Sequence, residues 1–239
     1  MSTTSLPGAE SLTVGAAVDA DGPLEEPMQN PRLYVVGKRV VDLGLSTLAL
    51  ILALPILVVA AVAIRATSRG PIIFRQKRIG LAGATFTMWK LRTMDVRTDD
   101  AIHRAYVRSM FARGESVHAS RAGLHKLNDD RVTAVGRLLR RTSIDELPQL
   151  FNVLRGDMSL VGPRPALPWE VELFAPYDRL RSQVKPGITG LWQVSGRSRL
   201  TMRQALEFDC AYARERSLLL DFKILLKTIP VVLVKQDAA

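Results

Sequence analysis

Two adjacent carboxylates, Asp145 and Glu146, stand within the run from Arg140 to Pro165, with Arg137, Arg140 and Arg141 before them and Arg155 and Arg164 after. Acids encircled by guanidinium groups suit chemistry on an anionic substrate. Arg grips phosphate oxygens through a planar two-donor fork and never loses its charge. A structural reading competes, because Ser143 and Glu146 have the spacing of a capping box that opens a helix burying Leu147, Leu150, Phe151 and Leu154. The two readings are compatible, since a helix N-terminus is itself an anion site.

The elements that must position this pair begin with an apolar run. Leu43 to Ile64 is 22 residues without a charged side chain. As a helix it reaches about 33 Å, enough to cross bilayer hydrocarbon. It is too long, and starts too far into the chain, for a secretory signal. Pro55, near its middle, removes a backbone hydrogen bond and kinks the helix. Lys38 and Arg39 precede the run; Arg65, Arg69, Arg75, Lys77 and Arg78 follow it. Both flanks therefore favour the cytoplasmic side. An ordinary single span with a tolerated proline is the topology these physics favour. A helix that enters one leaflet, bends at Pro55 and returns is the topology that satisfies both flanks.

Composition sets the remaining bounds. A chain of 239 residues with 47% apolar side chains accommodates one domain plus a membrane element. The net charge of +10 conceals an asymmetry: residues 1–31 hold five acids and no Lys or Arg, which leaves +15 on the rest. That remainder is drawn to anionic lipid headgroups. The opening segment, rich in Ser, Thr, Gly, Pro and Ala, reads as a disordered tail. Cys210 stands alone, which rules out an intramolecular disulfide, and with three scattered His it argues against structural zinc. No internal repeat is present. The pI near 10.2 raises nucleic acid as a partner, but a basic recognition helix or aromatic RNA-binding stretch is missing and the arginines cluster around acids. A non-catalytic scaffold would not need the Asp145–Glu146 pair.

Local patterns predict the scaffold. Ile72–Gln76 and Thr85–Leu91 read as strands of a hairpin turning through Gly80 and Gly83. Asp99 to Arg113 reads as a charged, solvated helix, and Thr133 to Arg141 leads into the acidic pair. Pro148 is best placed if the next helix starts near Asp145 to Leu147. The loops at 161–165 and 185–197 are rich in Gly and Pro and hold specific turns. Thr201 caps a helix reaching Glu215. The stretch Leu219–Val234 carries one apolar face (Phe222, Leu225, Leu226, Ile229, Leu233) beside Lys223, Lys227 and Lys235, and Pro230 should kink or end it. Its first half is expected to pack on the core.

From Lys38 to about Val234 the chain resembles the bacterial sugar transferases, the monotopic phosphoglycosyl transferases that load sugar phosphate onto a polyprenyl phosphate. The carrying motifs are KRVVD at 38–42, the apolar run with a central proline, MWKLRTM at 88–94, the segment 136–165, KPGITGLWQVSGR at 185–197 and ERSLLLDFKILLKT at 215–228. Together, in this order, they are highly specific. The resemblance implies an α+β, mostly helical fold: a re-entrant membrane helix-break-helix, then a cytoplasmic catalytic domain with a small β-hairpin and interfacial helices. It thereby favours the re-entrant topology over the span. The expected organisation is an acidic tail at 1–37, the membrane helix at 38–71 and the catalytic domain at 72–239.

The resemblance also implies a mechanism. Asp145 falls on the family's nucleophile, attacking a UDP-sugar to form a covalent phosphosugar, and Glu146 on its partner. Mg2+ is the implied cofactor, ligated by Asp145. Arg140 and Arg164 match phosphate-contacting positions, and Lys90 and Asp221 match polar positions of the site; Arg197, in the VSGR turn, is a candidate nucleotide or phosphate ligand. Read locally, Lys90 is equally a strand-surface residue, Asp221 a helix cap, and Trp89 and Trp192 packing residues rather than base-stacking ones. Arg155 reads as a solvated helix residue. Implied partners are a UDP-sugar, polyprenyl phosphate and anionic lipids at the cytoplasmic face of the bacterial inner membrane, with a homo-oligomer or glycan-assembly partners left open and no nucleic acid. Two departures stand out. Leu54 occupies a place where some relatives carry Ser before the central proline, and the segment Thr98–Lys126 matches least.

Overall fold

The computed structural model describes residues 31–94, 131–196 and 200–233, with Arg104 and Arg108 between the first two. The first helix, α1 (Pro31–Thr67), has 37 residues and carries Pro55 inside it. Residues 31–37, expected to belong to the tail, form its opening turns. The expected break at Pro55 is not an interruption: helical backbone continues through the proline. α1 is long and apolar enough to cross a membrane, and only 17% of its most apolar window is buried. A soluble core helix would show the opposite.

The hairpin forms as expected, with β1 (Ile73–Ile79) ending three residues later than the sequence suggested and β2 at Thr85–Leu91. The strands pair antiparallel, Ile73 opposite Leu91 and Ile79 opposite Thr85. Gly83 sits at φ +79 in the connecting turn, a conformation that costs a residue without Cβ little. A second sheet, not anticipated, is a short parallel pair of β3 (Ser159–Val161) and β4 (Gly187–Thr189).

The helices are α2 (Ala134–Thr142), α3 (Gln149–Arg155), α4 (Pro168–Val171), α5 (Leu191–Ser195), α6 (Met202–Glu215) and α7 (Leu218–Leu233). α6 starts at a capping box, Thr201 with Gln204, as its sequence predicts. The helix expected over Asp99–Arg113 lies outside the described residues apart from Arg104 and Arg108, which are helical.

Two expectations are corrected. The Ser143–Glu146 capping box does not form. Ser143 takes a left-handed conformation (φ 57) and makes no side-chain cap, so α3 begins only after Pro148. Of the four residues expected to be buried there, Leu150 is, but Phe151 is 39% exposed. The stripe on α7 is partly turned: its first half packs on the core as expected through Leu225 and the fully buried Ile224, whereas Phe222, Leu226 and Ile229 face outward. α7 runs past Pro230.

Three apolar clusters hold the fold. One joins Ala60 and Ile64 of α1 to Leu91 and Leu139, with Leu57, Ile72 and Ile144 packed against it. A second joins Met88, Val153 and Met158. The third joins Val161, Leu191, Ala211, Tyr212 and Ile224, so β3, α5, α6 and α7 close around one centre.

Candidate active site

Asp145 sits in a single 3-10 turn, Ile144–Glu146, between α2 and α3. Ser143 is left-handed there, and Ile144 anchors the turn by packing into the cluster that holds the C-terminal part of α1. Asp145 is 8% exposed. The neighbouring Glu146 accepts a hydrogen bond from Lys90 Nζ at 3.0 Å. Lys90 is thus a partner of the acidic pair rather than a free strand-surface residue.

α2 is locked to the end of β2 by close backbone contact. The Thr133 hydroxyl caps α2 by accepting from Gly136 N at 2.9 Å, while Thr133 N donates to Thr93 O at 3.1 Å. A Cβ on Gly136 would stand 2.1 Å from Thr93 O, so only glycine fits. This contact brings Arg140 alongside the strand end, where its Nε donates to Thr93 Oγ1 at 2.9 Å. Lys90, Arg140 and the acidic pair therefore converge on the end of β2. Two cations beside two acids can offset the charge of an incoming phosphate.

Arg164 lies in the Gly- and Pro-rich loop that leaves β3. Its Nη1 reaches Glu170 Oε2 at 3.5 Å, while the same oxygen accepts Leu167 N at 2.7 Å. Burial opposes ionisation of Glu170, but Arg164, the Leu167 N–H, Arg78 and Arg181 together hold its carboxyl below the usual carboxylate range. The loop backbone is held by buried arginines that the sequence reading missed. Arg78 donates to Pro165 O at 2.9 Å and Arg181 to Arg164 O at 2.5 Å. The available signal was the two prolines, which leave neighbouring carbonyls without a ladder partner.

Asp221 is placed elsewhere among the described residues. It is buried in the first turn of α7, paired with Lys38 Nζ at 2.8 Å and accepting from the Tyr212 hydroxyl at 2.6 Å and the Tyr34 hydroxyl at 3.3 Å. It does not cap the helix; Ser217 Oγ does, accepting from Leu220 N. The other members of KRVVD serve the same junction. Arg39 donates to Val153 O and Leu154 O at the end of α3, and Asp42 accepts from Ser159 Oγ and Leu160 N on β3. Arg197 lies outside the described residues. Trp89 is held between the guanidinium groups of Arg75 (6.0 Å) and Arg155 (5.7 Å) and beside Phe151, on the hairpin face opposite Lys90. Trp192 is half-buried in α5.

For Mg2+, Asp145 and Glu146 supply hard carboxylate oxygens, and among the described residues no group of three or more potential ligands surrounds them. That donor set fits the mode in which Mg2+ rests on one or two carboxylates and completes its shell with substrate phosphates and water.

Residues 33–235 match the sequence model of one protein family, described as Bacterial sugar transferase. The chain is 44% identical over 217 residues to a UDP-glucose:undecaprenyl-phosphate glucose-1-phosphate transferase of Caulobacter vibrioides, covering 87% of this chain and 74% of that one. It is 39% identical over 204 residues to the exopolysaccharide production protein ExoY of Sinorhizobium fredii, covering 85% and 88%. It is 39% identical over 201 residues to an undecaprenyl-phosphate galactose phosphotransferase of Salmonella typhimurium, covering 84% of this chain but 41% of that longer protein.

Proposed function

Because the chain belongs to the bacterial sugar transferase family and is a phosphoglycosyl transferase, we propose that it transfers a hexose-1-phosphate from a UDP-sugar to undecaprenyl phosphate through an aspartyl-phosphosugar intermediate, releasing UMP. The names of its relatives support the substrate classes: UDP-glucose or galactose phosphate donors, undecaprenyl phosphate acceptors and exopolysaccharide production. The observation that carries the mechanism is the placement of Asp145: a carboxylate in a tight turn, beside the Lys90–Glu146 ion pair, in the turn that follows the helix whose Arg140 is tied to Thr93 at the end of β2.

In the first step a carboxylate oxygen of Asp145 bonds to the phosphorus that bears the sugar, and the phosphoanhydride bond to UMP breaks, leaving UMP with the electron pair. In the second, an oxygen of the lipid phosphate bonds to the same phosphorus and Asp145 leaves as carboxylate. No proton need move from Asp145, whose type is ionised at neutral pH. Arg140 and Arg164 grip donor oxygens, and Lys90 orients Glu146. Mg2+, held by Asp145 and Glu146, would supply counter-charge to the diphosphate.

The same proposal places both ends of α1 at the cytoplasmic face. One face of α1 packs on one globular body along its length: Tyr34, Lys38, Arg39, Asp42 and Ser46 near its start, Ala53 midway, and Leu57, Ala60 and Ile64 near its end. Between Ser46 and Leu57 the large side chains Leu48, Ile51, Leu52, Leu54 and Ile56 point outward. Eleven residues rise about 16 Å, roughly half the hydrocarbon core. A full span would put Lys38 and Arg39 on the opposite side of the bilayer from Arg65, whereas the segments carrying them pack on one body.

The test is turnover with a panel of UDP-sugars and undecaprenyl phosphate, following UMP. Ping-pong kinetics, with the protein labelled by UDP-sugar before lipid is added, are expected. A sequential pattern with no labelled protein would favour direct attack by the lipid phosphate and overturn the intermediate.

A further inference from the structure

The loop bearing Arg164 has an unusual support. Pro163 and Pro165 lack N–H groups, so the loop cannot extend the β3–β4 ladder on both edges, and its carbonyls need donors from elsewhere. Gly187 N supplies one for Pro163 O and Ile79 N one for Ala166 O, each at 2.9 Å. The carbonyls of Arg164 and Pro165 are met by guanidinium groups, Arg181 and Arg78 respectively. Arg181 lies on the 3-10 segment Pro176–Gln183, and the nitrogen that donates to Arg164 O also donates to Asp209 Oδ2 on α6 at 2.5 Å. Arg181 is 7% exposed and Asp209 3%.

We propose that Arg181, fixed by Asp209, is a positioning residue for donor binding: by holding the Arg164 carbonyl it aims the Arg164 side chain at the diphosphate. It rests on the reading of Arg164 as a phosphate ligand. Two features separate it from plain stability. A buried ion pair contributes little net stability, because desolvation offsets the attraction. This pair is also joined to the backbone of the residue that carries the ligand-facing guanidinium. Arg164 is itself oriented rather than consumed, since its contact with Glu170 stands at 3.5 Å, the limit of a hydrogen bond. The chain of contacts runs Asp209, Arg181, Arg164 carbonyl, Arg164 side chain, and a shift at its base moves its tip.

A double-mutant cycle in the full chain, reconstituted in lipid, tests this. Arg181→Lys keeps the charge but, as a point donor on a flexible stem, cannot hold two acceptors in fixed geometry. It should lower kcat/KM for UDP-sugar at least ~10-fold, yet cost under ~2-fold in an Arg164→Ala background, because the two residues act in series. The KM for polyprenyl phosphate should be unchanged. Asp209→Asn, which keeps the volume and removes the counter-charge, should behave alike, and carries the cycle if Arg181→Lys fails to fold. Equal losses with and without Arg164, or no loss from Arg181→Lys, would overturn the proposal while leaving the phosphate role of Arg164 standing. An Arg164→Ala enzyme with normal kcat/KM would instead overturn that role, and the positioning role with it.

Discussion

At neutral pH an aspartate is ionised without assistance, so a nucleophilic Asp145 needs position and counter-charge from the protein rather than a base. Its turn supplies the first, and Lys90 and Arg140 the second. Asp145→Asn retains the shape and removes the anion; UMP release should fall by at least ~1,000-fold and labelling by UDP-sugar should vanish, a loss expected of a missing nucleophile. Turnover near the wild-type rate would refute the assignment. Glu146→Gln should be milder, because it weakens the Lys90 contact without removing the nucleophile. A pH effect belongs to Asp209. Burial pushes its carboxyl up to about 6, against the opposing pull of Arg181 and Arg164; beside it stand the Cys210 thiol, neutral in this range because burial pushes it up to about 11, and the Asp178–Arg203 pair. An acid whose folded pKa lies above its unfolded value holds its proton in the folded chain between roughly 4 and 6, so folding is favoured at the acid end of that window and less so as pH rises through it. The Arg181–Asp209 ion pair has the opposite preference and exists fully only above about 6. With Asp209 as the anchor of Arg181, kcat/KM for UDP-sugar should decline as pH drops through about 6. That limb should be absent from Asp209→Asn.

Among elements, α1 and α2 carry the sharpest expectations. Both flanks of α1 compete for the cytoplasmic side, and Pro55 removes the backbone bond that would stiffen the helix between them. Pro55→Ala should move a fraction of molecules to a true span, read by periplasmic labelling of a single cysteine at Ser2 in a Cys210→Ala background. Labelling of that cysteine from the periplasm with Pro55 intact would remove the same-side topology. For α2 the decisive contact is Gly136 against Thr93, whose carbonyl oxygen a Cβ would approach to 2.1 Å. The obstruction is backbone, which cannot rotate aside. Gly136→Ala should therefore destabilise by about 2 kcal/mol through overpacking and weaken turnover by drawing Arg140 from the strand end, both measurable by chemical unfolding and UMP release. α7 shows how an apolar stripe misleads. Phe222, Leu226 and Ile229 match a helical face but point outward, whereas Asp221 and Ile224 are buried. With α1 placed in the bilayer as proposed, outward apolar residues have a second solvent available.

Across the whole molecule, the N-terminal arm of α1 is joined to the last helix by Lys38 and Asp221, with Tyr34 and Tyr212 satisfying the remaining carboxylate sites. Lys38→Met should cost roughly 3 kcal/mol, since it strands a buried charge, while Lys38→Met with Asp221→Leu should recover most of it; thermal unfolding in lipid discs reads both. What the sequence determined by itself was whatever local chemistry encodes. The charge-free run, the alternating hairpin, the Thr201 cap and the acids among arginines all depend on neighbours a few residues away. The family's motifs in order did the same for the reaction class. Tertiary structure decided the rest. Ser143 had the spacing of a cap yet turned left-handed, because the Ile144–Glu146 turn is seated by the α1–β2–α2 cluster, and burial of that kind outweighs one capping bond of about 1 kcal/mol. Lys38, Arg39 and Arg78 read as flanking charge in the sequence, Asp42 only as part of a motif, and Arg181 drew no reading at all. Each found its role in a partner distant along the chain, Asp221 for Lys38 and the Pro165 carbonyl for Arg78, and no local pattern records such a pairing, because only the folded backbone brings the two ends within hydrogen-bond reach.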